Sequence, residues 1–535
     1  MKKYEIAVIG GGFTGAALAA ALVRAAVDRC MENLSITMYE PGSIGPGLAY
    51  DVEAPESFKL NHELDLMGSV NVHLAHTDVR DFYCWVKKNL QDLQYIYPAY
   101  NLRNPKEYVP RSLFGRYLQA RYAETKWYAL QHNVMITECH THVKDIQKMG
   151  GKFSVHANDI RQFDAVILAT GNYFDAVDTA TLPSNKHFRA SDYEGYMGET
   201  IPEGSFMLIA GTALSAYDAA LCALESTRYR TVIMASRRGM LRKVRGATKP
   251  YLRQFLTIEN LETLAGGANA QFTLEHILHL LQAELDHAYG RPVRWKEGYT
   301  VEEIVDALKQ DIIVAQTGQE LLWRSIHASL TDKERHEIYD RLTISDKKLF
   351  LKKYLSLYQL FSAPMPITNA RKLQHYLANG QLKLVNGLDD IRYIPNAKQF
   401  VLSYKPSVQD LLDTDIRSNA QDYPIKADVL VNARGFGRDI SPIPLYSRML
   451  AHQLISAHPL GGIRADIATH NVLDTSGRPI RKLYAVGHMV CGETSLVHTS
   501  LQLSRMCLDI GEHVLDQYDT QAAHRSDEMD MQLAV

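Results

Sequence analysis

"YEIAVIGGGFTGAALAAALVRAAV", residues 4–27, decides how the rest of the chain is read. An apolar run, Ile6 to Ile9, meets Gly10-Gly11-Gly12-Phe13-Thr14-Gly15 and then an alanine-rich stretch of helical character. Strand, G-x-G-x-x-G and helix in that order make a dinucleotide-binding turn. Gly10 permits the tight turn, Gly12 lets backbone N–H groups approach a pyrophosphate, and Gly15 lets the helix pack closely on the strand. The helix N-terminus, with Thr14 in its first turn, then faces the anion. A second strand ending in an acid should follow, and "LSITMYE" (34–40) supplies Glu40, placed to accept from ribose hydroxyls.

Two later segments point to FAD as the dinucleotide. "FDAVILATGNY" (163–173) is an apolar strand running into Ala169-Thr170-Gly171, and "KLYAVGHMVCGETS" (482–495) is another, breaking at Gly487. The pair resembles two-dinucleotide flavoproteins, in which an A-T-G turn closes the first domain and a late strand-glycine segment returns to the flavin pyrophosphate. An aspartate usually follows that late glycine; here His488 does.

The order of segments repeats. From Gly10 it runs cradle, "VMITECHTHVKDI" (134–146), the hairpin-like "GGKFSVHAND" (150–159), and "FDAVILATG". From Gly211 it runs "LIAGTALSAYD" (208–218), "QLKLVNGLDDI" (381–391), "KQFVLSYKP" (398–406) and "ADVLVNARG" (427–435). A second dinucleotide-type domain is expected on that repetition. Its cradle is Gly211, Thr212, Ala213 and Ser215, with Ala213 in place of the middle glycine, Ala216 in place of the third, and Arg434 matching Thr170. A methyl group at 213 should crowd a pyrophosphate, whereas alanine at the third position is tolerated. "TVIMASRRGMLRK" (231–243) reads as the second strand of this copy, and Ser236, Arg237 and Arg238 follow it with no acid. Guanidinium presents a planar fork of donors that suits a 2′-phosphate, so NADPH is expected over NADH. Arg242, Lys243 and Arg245 extend the charge, which leaves a solvated basic loop as the alternative.

Composition fits a globular chain. Its 535 residues, 46% hydrophobic content and formal net charge of −2 imply about three domains' worth of length and a large core. Nucleic-acid binding by bulk charge is not expected. The six cysteines are scattered without a C-x-x-C pair, which fits a reducing cytoplasm and no redox disulfide. Glu5, the glycines and Arg24 interrupt the N-terminal apolar stretch, so it does not read as a secretory signal. No apolar run is long enough to span a membrane. His140 with His142, and His276 with His279, lack further ligands at convincing spacing, so no metal is expected.

"GPGLAYDVEAPESFKLNHELDLMGS" (45–69), "YVPRSLFGRYL" (108–118), "GTALSAYDAA" (211–220) and "SRRGMLRK" (236–243) together resemble the FAD/NAD(P)-binding proteins of a large bacterial group. That group carries G-x-G-x-A-Y, L-L-N-V-P, P-R-x-x-x-G-x-Y-L and G-T-G-L-T-x-x-D. The stretch containing Trp295 and Trp323 is similar to it too. The likeness covers residues 4 to 515, and the wider superfamily includes flavin monooxygenases that hydroxylate amines or insert oxygen beside carbonyls. The chain departs at Leu60-Asn61-His62-Glu63, at Gly211-Thr212-Ala213 and at "LYQLFSAP" (357–364), where flavin, nicotinamide or substrate would be handled.

The resemblance implies an α/β fold with two Rossmann-like dinucleotide-binding domains and a helical insertion. Residues 1–200 would begin the FAD domain, 201–440 would form the NAD(P) domain with the insertion at 247–375, 441–518 would return to the first, and 519–535 would be a loose tail. Few catalytic side chains are needed, since flavin carries the electrons. Asn61 could hydrogen-bond the flavin ring edge or satisfy its own turn. Arg111 could clamp an FAD phosphate, stabilise reduced flavin, or hold its helix by a salt bridge. A helix expected from near Ser495 would face the flavin's pyrimidine edge. His488 and His498 could carry protons or simply pack. The leading function is an FAD-dependent, NADPH-using monooxygenase of a small amine or related metabolite. A dehydrogenase or oxidase with a vestigial nicotinamide site, and a non-catalytic nucleotide-binding module, are the alternatives.

Overall fold

A computed structural model describes residues 3–173, 186–187, 201–293, 299–319, 321–404, 425–494 and 499–533. The chain divides into two compact units, one of residues 1–54, 62–175 and 436–535, the other of residues 55–61 and 176–435.

The first unit is built on a six-stranded sheet in the order Asn471–Leu473, Pro479–Ala485, Ala165–Leu168, Tyr4–Ile9, Leu34–Tyr39 and Met135–Cys139. Every pairing is parallel except the one between the first two strands. The continuous apolar runs expected for a sheet covered on both faces are present: Ala165–Leu168 is buried throughout, as is Leu34–Tyr39. The alanines of helix Phe13–Asp28 allow close approach on several sides. That helix packs on helix Arg111–Gln131 and on the C-terminal helix, where a Cβ added at Gly511 would stand 3.1 Å from Ala21. Between Met135–Cys139 and Ala165–Leu168 the chain makes an antiparallel excursion. The hairpin read from sequence gains a third strand there: Asp145–Met149, Lys152–His156 and Ile160–Phe163.

The second unit repeats the plan. Its five-stranded parallel sheet runs Leu382–Val385, Tyr229–Ala235, Ser205–Ala210, Val429–Asn432, Lys186–His187. An antiparallel trio, Leu388–Ile394, Gln399–Tyr404 and Ile425–Ala427, occupies the place of the first unit's excursion. Helices from Ile258 to Ser362 form the insertion. Thr257, Thr273, Thr300, Thr331 and Thr343 each cap one of them by accepting from the third helical N–H, at about 1 kcal/mol per cap. The buried carboxylate of Glu284 ties the insertion to its entry loop, accepting from the backbone N–H groups of Gln254, Phe255 and Leu256 and from the Tyr251 hydroxyl. Helix Ile367–Ala378, which the sequence reading had merged into the insertion, is instead a crossover feeding strand Leu382–Val385 and packing on helix Leu214–Glu225.

At the other end, the helix starting at Ser500 continues through Leu533. Polar composition had led us to expect a loose tail from 519; helical spacing in the backbone carries on instead.

Candidate functional site

In the first unit the cradle is made by close backbone contacts. Gly10 has φ 105°, and a Cβ there would lie 2.3 Å from the Ala169 carbonyl oxygen. One at Gly15 would lie 2.0 Å from the Gly10 carbonyl oxygen, so this cradle has no room for the alanine often tolerated at that position. Gly12 plays the opposite part. It is the N-cap of helix Phe13–Asp28, with no side-chain cap and no acid in the first turn, and an added Cβ would meet nothing closer than Gly47 Cα at 3.5 Å. Gly47 in turn has φ 54°, and its own Cβ would approach Gly12 Cα to 2.9 Å. Bare backbone on both sides leaves the helix's orphan N–H groups open to an anion. Gly47 was quoted in the motif at 45–69 but given no role; the G-P-G at its start was the available signal.

Glu40 shapes this turn directly. Its Oε2 accepts from Gly11 N–H at 2.7 Å and its Oε1 from Gly42 N–H at 3.1 Å. Strand Pro479–Ala485 lies beside Ala165–Leu168 and delivers Gly487, φ 82°, to the same helix start: its added Cβ would be 3.9 Å from Thr14 Oγ1. Gly10, Gly12, Thr14, Gly15 and Gly487 therefore converge. Thr170 pairs its hydroxyl with buried Tyr446 at 2.6 Å, and Gly171 turns with φ 72°. The observations that a pyrophosphate needs, a turn without side chains and an uncapped helix start, fit FAD here.

The expected catalytic residues have different surroundings. His488 donates Nε2–H to the Gly437 carbonyl at 2.6 Å, with its ring against Tyr173 and Phe436. Gly437 N–H donates to the Tyr173 carbonyl at 2.8 Å, so His488 clasps the two chain segments that leave and re-enter this unit. Arg111 opens helix Arg111–Gln131 beside Tyr50, whose hydroxyl is pushed up by burial with Arg111 opposing. Asn61 belongs to the short segment grouped with the second unit, and its amide makes no hydrogen bond among the described residues. Ser495, His498 and Trp295 lie outside the described residues.

In the second unit Gly211 repeats the geometry of Gly10, with φ 138° and an added Cβ 2.4 Å from the Ala433 carbonyl oxygen. Ala213 is the N-cap of helix Leu214–Glu225 with φ −110° and ψ −170°, extended backbone like that of Gly12, so its methyl is carried without strain. Ala216 is fully buried, and Ser215, the second residue of the helix, is half-exposed. Thr212 and Ser236 are absorbed into the turn. Gly239 N–H donates to Ser236 Oγ, the two hydroxyls pair at 2.9 Å, and Thr212 Oγ1 donates to the Met240 carbonyl.

The basic run divides, and neither reading of it holds throughout. Arg238 donates to the Lys353 carbonyl at 2.8 Å and to Ser356 Oγ at 3.1 Å, on a turn of π-helix, Phe350–Tyr354, in the insertion and the helix after it. Arg242 donates to Gln359 Oε1, Lys243 pairs with Asp311, and the backbones of Lys243 and Arg245 bond to Leu360 and Met365. Arg237 alone of the first pair is exposed; its carbonyl accepts from Gly387 N–H at 3.1 Å, and its guanidinium makes no hydrogen bond or ion pair among the described residues. Most of the run anchors the insertion.

Arg242 is half-buried, and among the described residues no carboxylate acts on its guanidinium. Desolvation pulls its guanidinium below the ordinary arginine value, with only Tyr217 acting in the other direction. Among the described residues no three His, Cys, Asp or Glu side chains group as metal ligands, and no helix is long and apolar enough to cross a membrane. All six cysteines are free.

Residues 7–173 match the family model described as FAD-NAD(P)-binding. A search of curated proteins finds no match. Among solved structures, ornithine N-hydroxylase of Kutzneria sp. 744 is similar over 97% of this chain and 100% of its own, at 12% identity and a TM-score of 0.52. Reduced ornithine hydroxylase of Pseudomonas aeruginosa covers 96% of this chain and 99% of its own, at 13% identity and 0.53. L-lysine 6-monooxygenase of Pseudomonas syringae covers 96% and 98%, at 14% and 0.52. At these identities the likeness is one of fold, and the chain has the FAD/NAD(P)-binding flavoprotein fold.

Proposed function

We propose that this chain is an FAD-dependent oxidoreductase that draws electrons from NADPH and oxygenates a small amine or related metabolite. The observation that carries the reading is the uncapped helix start at Gly12, kept bare by Gly47 and met by Gly487, in a unit whose sheet plan recurs in a second unit, where Arg237 follows strand Tyr229–Ala235. FAD, when bound, supplies electron transfer and activation of dioxygen. The chain's part is to hold and shield it. The N–H groups at the start of helix Phe13–Asp28 would take the pyrophosphate, and Glu40, already fixed by Gly11 and Gly42, would accept from a ribose. In the second unit Gly211 and the start of helix Leu214–Glu225 would receive the other dinucleotide, and Arg237 would meet its 2′-phosphate.

Two supports favour oxygenation of an amine: the fold neighbours are named for hydroxylating ornithine and oxygenating lysine, and the six cysteines include no C-x-x-C pair of the kind a disulfide reductase uses. One observation favours a second reading, an oxidase or dehydrogenase with an idle nicotinamide site: Ala213 puts a methyl where the first cradle has none.

The test is NADPH consumption by FAD-loaded protein across a panel of diamines, basic amino acids and related amines, with product detected by mass. A single compound should raise consumption and gain one oxygen atom. No NADPH consumption with any compound, but oxidation of an amine with release of peroxide, would favour the oxidase reading.

A further inference from the structure

Arg434 stands two residues beyond strand Val429–Asn432, the place that Thr170 holds beyond Ala165–Leu168 in the first unit. The two places match bond for bond, each within its own unit. Ala169 N–H donates to the Ile9 carbonyl at 2.8 Å, and Ala433 N–H to the Ala210 carbonyl at 2.9 Å. A Cβ at Gly10 would stand 2.3 Å from the Ala169 carbonyl oxygen, and one at Gly211 2.4 Å from that of Ala433. A glycine of positive φ follows each, Gly171 at 72° and Gly435 at 109°. The backbone thus fixes Arg434 beside the Gly211 turn, at the carboxyl end of the strand next to Ser205–Ala210.

The side chain is held there too. Asn432, 6% exposed, pairs in register with Ala210, the residue before Gly211. Its Oδ1 accepts from Arg434 N–H at 3.3 Å and from Arg434 Nε at 3.1 Å. The guanidinium is therefore anchored at the rim by its Nε edge, on a residue that stays exposed. On the other side of Ser205–Ala210, Arg237 follows Tyr229–Ala235. Along the carboxyl rim the order is Arg237, the Gly211 turn and Arg434, on strands about 4.8 Å apart. In the first unit the same flanks of the Gly10 turn carry a carboxylate, Glu40, and a hydroxyl, Thr170.

A dinucleotide laid across such a rim puts its adenosine ribose beyond the second strand and its pyrophosphate at the glycine turn. Its remaining half then passes over the strand that ends at Arg434. We propose that Arg434 is the pyrophosphate contact of the second dinucleotide, made from the side opposite Arg237 and held ready by Asn432. A guanidinium fork pairs well with phosphate oxygens, and here it adds charge to a turn whose N-cap carries the Ala213 methyl. For the identity of its ligand this rests on the NADPH reading. The two arginines then divide the work: pyrophosphate is common to NADPH and NADH, whereas the 2′-phosphate read by Arg237 is not.

The experiment measures NADP+ and NAD+ binding to the FAD-loaded full chain by calorimetry, and protection by inorganic pyrophosphate in thermal shift. Arg434→Thr, which installs the first unit's residue, should weaken NADP+ and NAD+ by the same factor, about tenfold, and abolish protection by pyrophosphate. The ligand-free Tm should hold, since the side chain is exposed. Arg434→Lys keeps the charge without the Nε bond to Asn432 and should recover part of the binding. If wild type is protected by pyrophosphate through Arg434 but binds neither dinucleotide, the phosphate contact stands and the NADPH reading fails. If wild type binds NADP+ and Arg434→Thr binds it equally well or better, the contact is overturned and the NADPH reading survives. A loss confined to NADP+, no recovery with Arg434→Lys, or a wild type that binds none of the three ligands would also overturn the contact.

Discussion

The turns at Gly10 and Gly211 leave their sheets alike and differ in what stands over the helix start. In the first, Gly12 faces Gly47 and both are bare; in the second, Ala213 occupies the corresponding N-cap in the same extended conformation. The first cradle also needs Gly15, whose replacement would strike a carbonyl at 2.0 Å, while the second buries Ala216 at the matching place. Two copies of one plan thus differ at the helix start: the first is kept bare of side chains, and the second carries a methyl there.

The sharpest way to break the comparison is Gly15→Ala. Because the Gly10 carbonyl cannot retreat without opening the turn, the substitution should cost about 3 kcal/mol and abolish FAD retention. A flavin-loaded variant with wild-type Tm would show the first cradle to be as tolerant as the second. Next in size is Glu284→Gln in the insertion that only the second unit carries. Losing a buried carboxylate from three backbone donors should cost about 2 kcal/mol in thermal or urea unfolding, with FAD content unchanged. Backbone and Tyr251 donors hold the Glu284 carboxyl below its ordinary value. Its contribution is therefore complete above the unfolded carboxylate value, about 4.3, and fades as pH falls through the lower folded value. In the variant that part of the acid sensitivity should vanish; an identical pH profile would mean the donors are met another way.

Arg237→Ala follows, with NADP+ binding weakened about tenfold and NAD+ unchanged. Arg238→Ala should instead lower stability, since that side chain holds Lys353 and Ser356. Equal loss of both dinucleotides on changing Arg237 would remove the 2′-phosphate argument. Smallest is Ala213→Gly, which restores the first cradle's bare N-cap. It should tighten both dinucleotides by about threefold at little cost in stability, glycine being the better N-cap. A weakening would mean the methyl makes a contact the ligand uses.

What could be read from the sequence was what local backbone geometry dictates. Strand, glycine turn, alanine-rich helix and acid follow one another within 40 residues, although the contacts at Gly10 and Gly12 come from Ala169 and Gly47. The repeat at Gly211 was legible for the same reason, despite its missing glycines. The five threonine caps were equally local and equally readable, although the insertion was recognised only by its amphipathic stretches. The basic run at 236–245 was not resolvable, because the same charges serve a phosphate, water or a helix 68 to 117 residues onward, and only folding brings Lys353, Gln359 and Asp311 to them. His488 shows the same limit: its partner carbonyl belongs to Gly437, 51 residues away. Arg242's lack of a counter-ion is a property of its surroundings and has no sequence signature.

The account's central claim, a flavin cradle and a working NADPH cradle in one chain, is tested most directly by mixing FAD-loaded protein anaerobically with NADPH or NADH and following the flavin absorbance band. The claim predicts rapid loss of the band with NADPH and much slower loss with NADH at equal concentration. Protein that holds no flavin after reconstitution, or flavin left untouched by NADPH, would contradict it.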